Sequence, residues 1–306
     1  MIRKAKPVVS LLILIFILSL TGCGGYQFDE TGTEIISADA ALSMSSEEGI
    51  VMVDTQKNSV YLDKGHVEGA VNIERQNIVI SDPVPNMLAP ADQIEKALGD
   101  VGITKDTTVI IYDNNNNMDA ARLWWTMKVY GHENVKVVSG GLNALIEAGA
   151  KISKDNTIST SVSYEIDSKD TEMIASLDDV KSQINEPKES VKFLDTRTKE
   201  EFDDGTVPTS VHIDYIDNNY SNGEYRSVQD IQIMYIEKEI IPDNTIIMYC
   251  KTSIRAAQTY LALYNAGYRN LKLYDGAWLE YTSDDSLPQQ QTEEAQPVQP
   301  NQQDNS

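Results

Sequence analysis

The chain has 306 residues, 41% of them hydrophobic and 24% charged, with a formal net charge of −22 at pH 7. That length allows two ordinary domains, and the composition is that of a globular protein. So acidic a surface excludes a phosphate-backbone partner, which needs a basic face, so no nucleic acid is expected.

The N-terminus reads as a targeting segment. Arg3, Lys4 and Lys6 precede an almost wholly apolar run from Val8 to Leu20, which is 13 residues long. That is short for a membrane span and right for a signal-peptide core. Leu20-Thr21-Gly22-Cys23 closes the run and is similar to a bacterial lipobox. The resemblance implies cleavage after residue 22 and acylation of Cys23, which would tether a water-exposed globular part to a membrane on its extracytoplasmic face. Residues 23–33 are then a short tether. An ordinary signal peptide cut near the same place is the plainer alternative.

Beyond the tether the chain repeats itself. Ile50-Val-Met-Val-Asp54 has a counterpart in Val191-Lys-Phe-Leu-Asp195, and Thr108-Val-Ile-Ile-Tyr112-Asp113 in Thr245-Ile-Ile-Met-Tyr249-Cys250. Gly131-His-Glu-Asn-Val-Lys-Val-Val-Ser-Gly140 matches Gly267-Tyr-Arg-Asn-Leu-Lys-Leu-Tyr-Asp-Gly276. Asp113 to Gly131 spans 18 residues and Cys250 to Gly267 spans 17, so the first copy carries one extra residue, most simply in its loop. The apolar runs suit strands buried on both faces. Residues 120–130 and 256–266 read as helices, each closed by a glycine suited to a left-handed cap. Strands alternating with helices predict an α/β fold with a mostly parallel sheet flanked by helices in each copy. We assign residues 34–150 to a first domain, 151–170 to a polar linker with one strand at 162–166, and 171–287 to a second domain. Residues 288–306 form a Gln-, Pro- and acid-rich tail too poor in apolar groups to order itself.

With Cys23 taken by lipid, Cys250 is left without a disulfide partner, and an unpaired thiol in an oxidising place is a candidate reactive group. A buried inert cysteine is the alternative. The loop Cys250-Lys251-Thr252-Ser253-Ile254-Arg255 argues for reactivity. It joins a strand to a helix N-terminus, where backbone N–H groups form an anion cradle that favours a thiolate. Lys251 and Arg255 add positive charge, and Thr252 and Ser253 add hydroxyls.

These residues resemble a tandem rhodanese. The resemblance rests on Phe193-Leu-Asp-Thr-Arg197 with Glu201-Phe202, on Tyr249-Cys250 and Ala256-Ala-Gln-Thr-Tyr-Leu-Ala-Leu263, and on Leu273-Tyr-Asp-Gly-Ala-Trp278. In the first copy it rests on Gly65-His-Val-Glu-Gly-Ala70 and Ala120-Ala-Arg-Leu-Trp-Trp125. It covers residues 34 to 285 and implies two rhodanese-like domains and a thiosulfate sulfurtransferase, with 3-mercaptopyruvate the second choice of donor. Cys250 would carry the sulfur as a persulfide from a small sulfur-containing anion to cyanide or a thiol. The amides of Lys251 to Arg255 would stabilise the persulfide, and Lys251 and Arg255 would hold the donor's oxygens. Asp195 is expected to brace the loop and Arg197 to help electrostatically; a structural ion pair is the equal alternative for both.

The four residues between Cys250 and Arg255 make the loop one shorter than in phosphatases of the same fold, which suits a sulfur-sized centre. Its two cations suit dianionic thiosulfate better than the nearly neutral loops of mercaptopyruvate enzymes. Asp113 stands where the first copy would need a cysteine, followed by Asn114 to Asn117, so the first domain is expected to be non-catalytic. Calcium binding there lacks EF-hand spacing. His66, His132 and His212 are scattered, so neither a metal site nor any cofactor is expected. Trp124, Trp125 and Trp278 read as packing, with Trp278 a possible substrate wall. Two departures stand out: Ser253 replaces the family's glycine, and the second copy's Gly-His turn is degraded to Gly205-Thr-Val-Pro-Thr-Ser210. They motivate a second reading, a surface module that binds anions or senses sulfur and redox state without turnover.

Overall fold

The computed structural model describes residues 25–291. The signal segment, Cys23 and the tail from residue 292 lie outside the described residues. In the N-terminal half the chain runs β1 (Ile35–Ile36), α1 (Ala38–Met44), β2 (Ile50–Asp54), α2 (Asn58–Lys64), β3 (His66–Val67), β4 (Val71–Asn72), β5 (Val79–Ile80) and β6 (Met87–Leu88). It continues through α3 (Ala91–Asp100), β7 (Thr108–Tyr112), α4 (Met118–Val129), β8 (Val135–Val138), α5 (Gly141–Glu147) and β9 (Ile152–Ser153). The C-terminal half holds β10 (Ile174–Ala175), α6 (Leu177–Asn185), β11 (Val191–Asp195), α7 (Lys199–Asp204), β12 (Val211–His212), α8 (Val228–Ile236) and β13 (Thr245–Tyr249). It ends with α9 (Ile254–Asn265), β14 (Leu271–Tyr274) and α10 (Ala277–Tyr281).

Each half builds one five-stranded sheet, in the orders β1-β8-β7-β2-β4 and β10-β14-β13-β11-β12. All pairings within both sheets are parallel. The internal repeat therefore reappears as one topology used twice. Its matched segments are the matched strands, with Asp54 beside Tyr112 and Asp195 beside Tyr249. β7 and β13 sit at the centre of their sheets and are buried from their second residue onward, which is why both read as unbroken apolar runs.

The central helices start slightly earlier than their periodicity suggested, at Met118 and Ile254, and Gly131 and Gly267 take the left-handed conformation just past their ends. α4 and α9 pack on each other between the halves, and nearly every residue of both is buried. A helix covered on all sides has no polar face to display. Trp124 meets the edge of the Tyr264 ring, with centroids 5.4 Å apart. One apolar cluster runs from Val53 in β2 to Leu273 in β14, so the two halves share a core.

Three expectations outside the two sheets are corrected. No strand forms at 162–166. This stretch crosses α3 instead of lying beside a strand, so its amides bond to the Gly99 carbonyl (3.0 Å) and to Glu95 (2.8 Å). Tyr164 is buried against His132, and a Cβ on Gly99 would lie 2.5 Å from the Val162 carbonyl, so the crossing requires glycine there. The segment expected to be a tether is docked on the far half: Asp29 N–H donates to Gly267 O at 3.1 Å, Gly32 N–H to Asn265 O at 2.8 Å, and Phe28 packs on Tyr268. The start of the tail is also held, since Gln290 and Thr206 exchange backbone hydrogen bonds of 2.8 and 2.9 Å.

Candidate active site

Cys250 follows the last residue of β13, at the carboxyl edge of the second sheet, and is 1% exposed. From there the chain turns through Lys251, Thr252 and Ser253 into α9. α10 supports the turn from behind, with Trp278 N–H donating to Cys250 O at 2.9 Å and Leu279 N–H to Lys251 O at 3.3 Å. Lys251 is exposed, Thr252 half-buried and Ile254 buried.

Arg255 lies in the first turn of α9, near enough to Cys250 for the sulfur to act on its charge. Both of its terminal nitrogens also meet Glu201 of α7, at 2.5 and 2.9 Å. Glu201 is placed by its own helix: it closes a capping box with Thr198, one of the simplest local signals a sequence can carry. Burial works to raise the Glu201 carboxyl, but Arg255 and Thr198 together outweigh it and hold it at about 2. Burial likewise opposes the charge on Arg255, while Glu201 and the Cys250 sulfur push its pKa upward. A fixed guanidinium therefore stands against the sulfur, its surplus charge largely balanced by Glu201.

Arg197 is not at the loop's service. Its guanidinium embraces Asp195 (Nε–Oδ1 2.9 Å, Nη2–Oδ2 2.5 Å), donates to the Gly205 carbonyl at 2.5 Å, and lies 4.2 Å from the Trp278 ring centroid. It is 2% exposed, so the structural ion pair describes both residues. Asp195 braces the turn leading to Thr206, whose hydroxyl it accepts at 2.9 Å, instead of the Cys250 loop. Trp278 stacks between Tyr249 and Tyr281 as packing, not as an open wall.

Ser253 occupies the strained position anticipated for it, at φ 64° and ψ −11°. A non-glycine residue there costs on the order of 1 kcal/mol. Its hydroxyl is engaged by other groups, which leaves its backbone amide for the loop's own cradle. Ser253 Oγ lies 2.7 Å from the Thr252 carbonyl and 3.1 Å from Asp275 Oδ1, and accepts from Arg122 Nη1 at 3.1 Å.

The first copy shows what such a loop holds. Asp113 follows β7 as Cys250 follows β13, and Asn117 caps α4 at φ 64° as Ser253 caps α9. The Asp113 carboxylate fills its own cradle. Oδ1 accepts the amides of Asn115 and Asn117, both at 3.0 Å, and Oδ2 those of Asp119 at 2.9 Å and Ala120 at 3.1 Å. Burial and then the Asp119 charge raise this carboxyl to about 6 against the pull of those amides. Oxygens committed to four N–H donors are poorly disposed toward a cation. Among the described residues no cluster of three or more His, Cys, Asp or Glu is arranged to hold a metal. In the repeat, Ser253, Arg255 and Ala256 hold the positions at the start of α9 that Asn117, Asp119 and Ala120 hold at the start of α4.

Sequence reasoning missed several residues that frame the thiol. Burial raises the pKa of Tyr215, against the pull of Asn116 from the other half and of the Arg255 charge. Asn86 donates to Thr252 Oγ1 at 3.0 Å, and Arg122 pairs with Asp275 at 2.8 Å. A signal for Arg122 was present: a lone arginine inside Ala-Ala-Arg-Leu-Trp-Trp must find a partner if that helix is buried. Nothing local marks Asn86 or Tyr215.

A model of the rhodanese-like domain matches residues 37–148 and 176–284. The chain is 29% identical over 266 residues to a Mycobacterium leprae (strain TN) protein named "Putative thiosulfate sulfurtransferase", covering 81% of this chain and 94% of that one. It is 26% identical over 275 residues to "Sulfur carrier protein TtuD" of Thermus thermophilus, covering 84% and 95%. Among solved structures, an anaerobic ergothioneine biosynthesis enzyme from Chlorobium limicola superposes with a TM-score of 0.75 at 22% identity, over 84% of this chain and 70% of that one. At that identity the likeness speaks for the fold alone.

Proposed function

The chain belongs to the rhodanese-like family, and from that premise we propose that it is a sulfurtransferase working through Cys250, with thiosulfate as donor. The Cys250 thiolate attacks the outer sulfur of thiosulfate, the S–S bond to the sulfonate breaks, and sulfite leaves with the electron pair. The resulting persulfide anion gives its terminal sulfur to cyanide or a thiol, and the thiolate returns. The observation that carries this reading is the placement of Cys250 at the end of β13, where the chain turns into α9 with Arg255 in its first turn, held there by Glu201. A positive group and a helix N-terminus near the sulfur stabilise the negative charge of a persulfide. The filled cradle at Asp113 supports assigning the chemistry to the second copy only.

The donor preference rests on Lys251, the loop cation that stays exposed, with Arg255 balanced by Glu201. Intact mass after thiosulfate treatment tests the reading. The wild type gains one sulfur atom, loses it to cyanide as thiocyanate, and Cys250→Ser does neither. Wild-type protein that accepts sulfur from neither thiosulfate nor 3-mercaptopyruvate sinks the proposal.

One observation favours the second reading, a surface module without turnover: Cys250 is 1% exposed, so a donor must open the cleft to reach it. A persulfide that forms and is not passed on would select that reading. We also propose that Cys23 anchors the protein to a membrane through lipid, which partition of wild type and Cys23→Ala between detergent and water tests; equal partition refutes it.

A further inference from the structure

The N-terminal half has no thiol in its own loop, yet its groups clasp the loop that does. Arg122 of α4 is wholly buried. Its Nη2 pairs with Asp275 Oδ1 at 2.8 Å and donates to the Asn86 carbonyl at 2.9 Å, while Nη1 donates to Ser253 Oγ at 3.1 Å. The Asn86 side chain in turn donates to Thr252 Oγ1 at 3.0 Å, and Leu88 N–H donates to Asp275 Oδ2 at 2.6 Å. Two of the four residues between Cys250 and Arg255 are thus held from the other domain.

We propose that Arg122 and Asn86 are positioning residues for sulfur transfer. They hold Thr252 and Ser253 so that the loop keeps the curvature aiming its amides and Arg255 at the Cys250 sulfur. The proposal rests on the sulfurtransferase reading. It also explains why serine is tolerated in a left-handed conformation that favours glycine. Glycine would make the turn freely but offer Arg122 nothing; the serine hydroxyl accepts from the guanidinium and has the Thr252 carbonyl and Asp275 as alternative acceptors for its proton. Arginine suits the role because its planar fork reaches Ser253, Asp275 and Asn86 from one fixed plane, which an ammonium cannot do. That plane is steadied by the Trp125 ring, whose centroid lies 4.6 Å away.

A packing role alone would make the variants less stable while leaving the turnover of folded enzyme unchanged. A positioning role lowers kcat and moves KM little, since the donor's contacts stay while the reacting sulfur is misaimed. Ser253→Ala and Asn86→Ala leave the buried Arg122–Asp275 pair in place, so both variants should fold. Thiosulfate-to-cyanide transfer, thermal unfolding and the pH profile of Cys250 alkylation by iodoacetamide are measured on each. We expect kcat to fall about tenfold or more with KM within about twofold, and the alkylation profile to shift. Arg122→Lys should behave alike, and combining it with Ser253→Ala should add little, because both cut one link. Folded Ser253→Ala and Asn86→Ala proteins with wild-type kcat and alkylation profile overturn the proposal. Absence of transfer in the wild type overturns the functional reading instead, and the alkylation profiles then still decide whether the clasp sets the loop.

Discussion

Glu201→Gln keeps the size and one acceptor oxygen of the side chain but removes the charge that faces Arg255. Both carboxylate oxygens are used in the wild type, at 2.5 and 2.9 Å. Burial works to raise the Glu201 carboxyl, yet the bonds and charge of Arg255 hold it at about 2 instead of its ordinary 4.5. At full strength that difference is worth about 3 kcal/mol. The two side chains are 19% and 30% exposed, so solvent screening reduces the expected contribution to about 1–2 kcal/mol. The sign follows from the direction. A carboxyl that is more acidic in the folded state stabilises it fully above its unfolded value and loses that contribution as pH falls toward the folded one. Urea unfolding of both proteins should therefore show Glu201→Gln weaker by that amount at pH 7, with the gap closing as pH is lowered from about 5 toward 2. Cys250 alkylation at pH 7 should also slow, because Arg255 is no longer fixed against the sulfur. An absent gap at pH 7, or one that stays constant down to pH 3, would refute this account of the pair.

Three further outcomes follow from the geometry. Arg197→Met leaves Asp195 as an uncompensated buried charge, so unfolding should become easier by about 3–5 kcal/mol with KM for thiosulfate unchanged in the folded enzyme; a raised KM at full stability would return Arg197 to substrate binding. Asp113→Asn turns an NH2 toward one pair of the four amides in the first cradle and should cost about 1–3 kcal/mol in thermal unfolding; an unchanged midpoint would show that those bonds carry no weight. Tyr164→Phe removes the 2.9 Å hydrogen bond to buried His132. It should cost about 1 kcal/mol in a denaturant titration; a neutral effect would make the linker's docking a matter of ring packing alone.

The linker and the tether mark where sequence reading ran out. Both are polar enough to read as free chain, and composition carries no record of which surface a polar backbone will cross. The docking of Tyr164 and Phe28 on residues far along the chain became visible only with both partners in place. Arg197 fails for a related reason. An arginine two residues after a strand-end aspartate has the same local pattern whether it faces a cleft or folds back on that aspartate. What decided it was the Gly205 carbonyl and the Trp278 ring, delivered by separate elements.

The sequence by itself determined the doubled α/β topology, because buried central strands demand unbroken apolar runs and each run is flanked by a helix closed with glycine. It also determined which copy carries the thiol and where the loop around Cys250 begins and ends, since these are local facts of spacing. Only the tertiary structure decided who holds that loop. Glu201 reaches Arg255 from 54 positions away, and Arg122 reaches Ser253 across 131. The first contact arises from α7 lying beside the start of α9 within one half and the second from the packing of α4 on α9 between the halves, geometries that no local periodicity encodes.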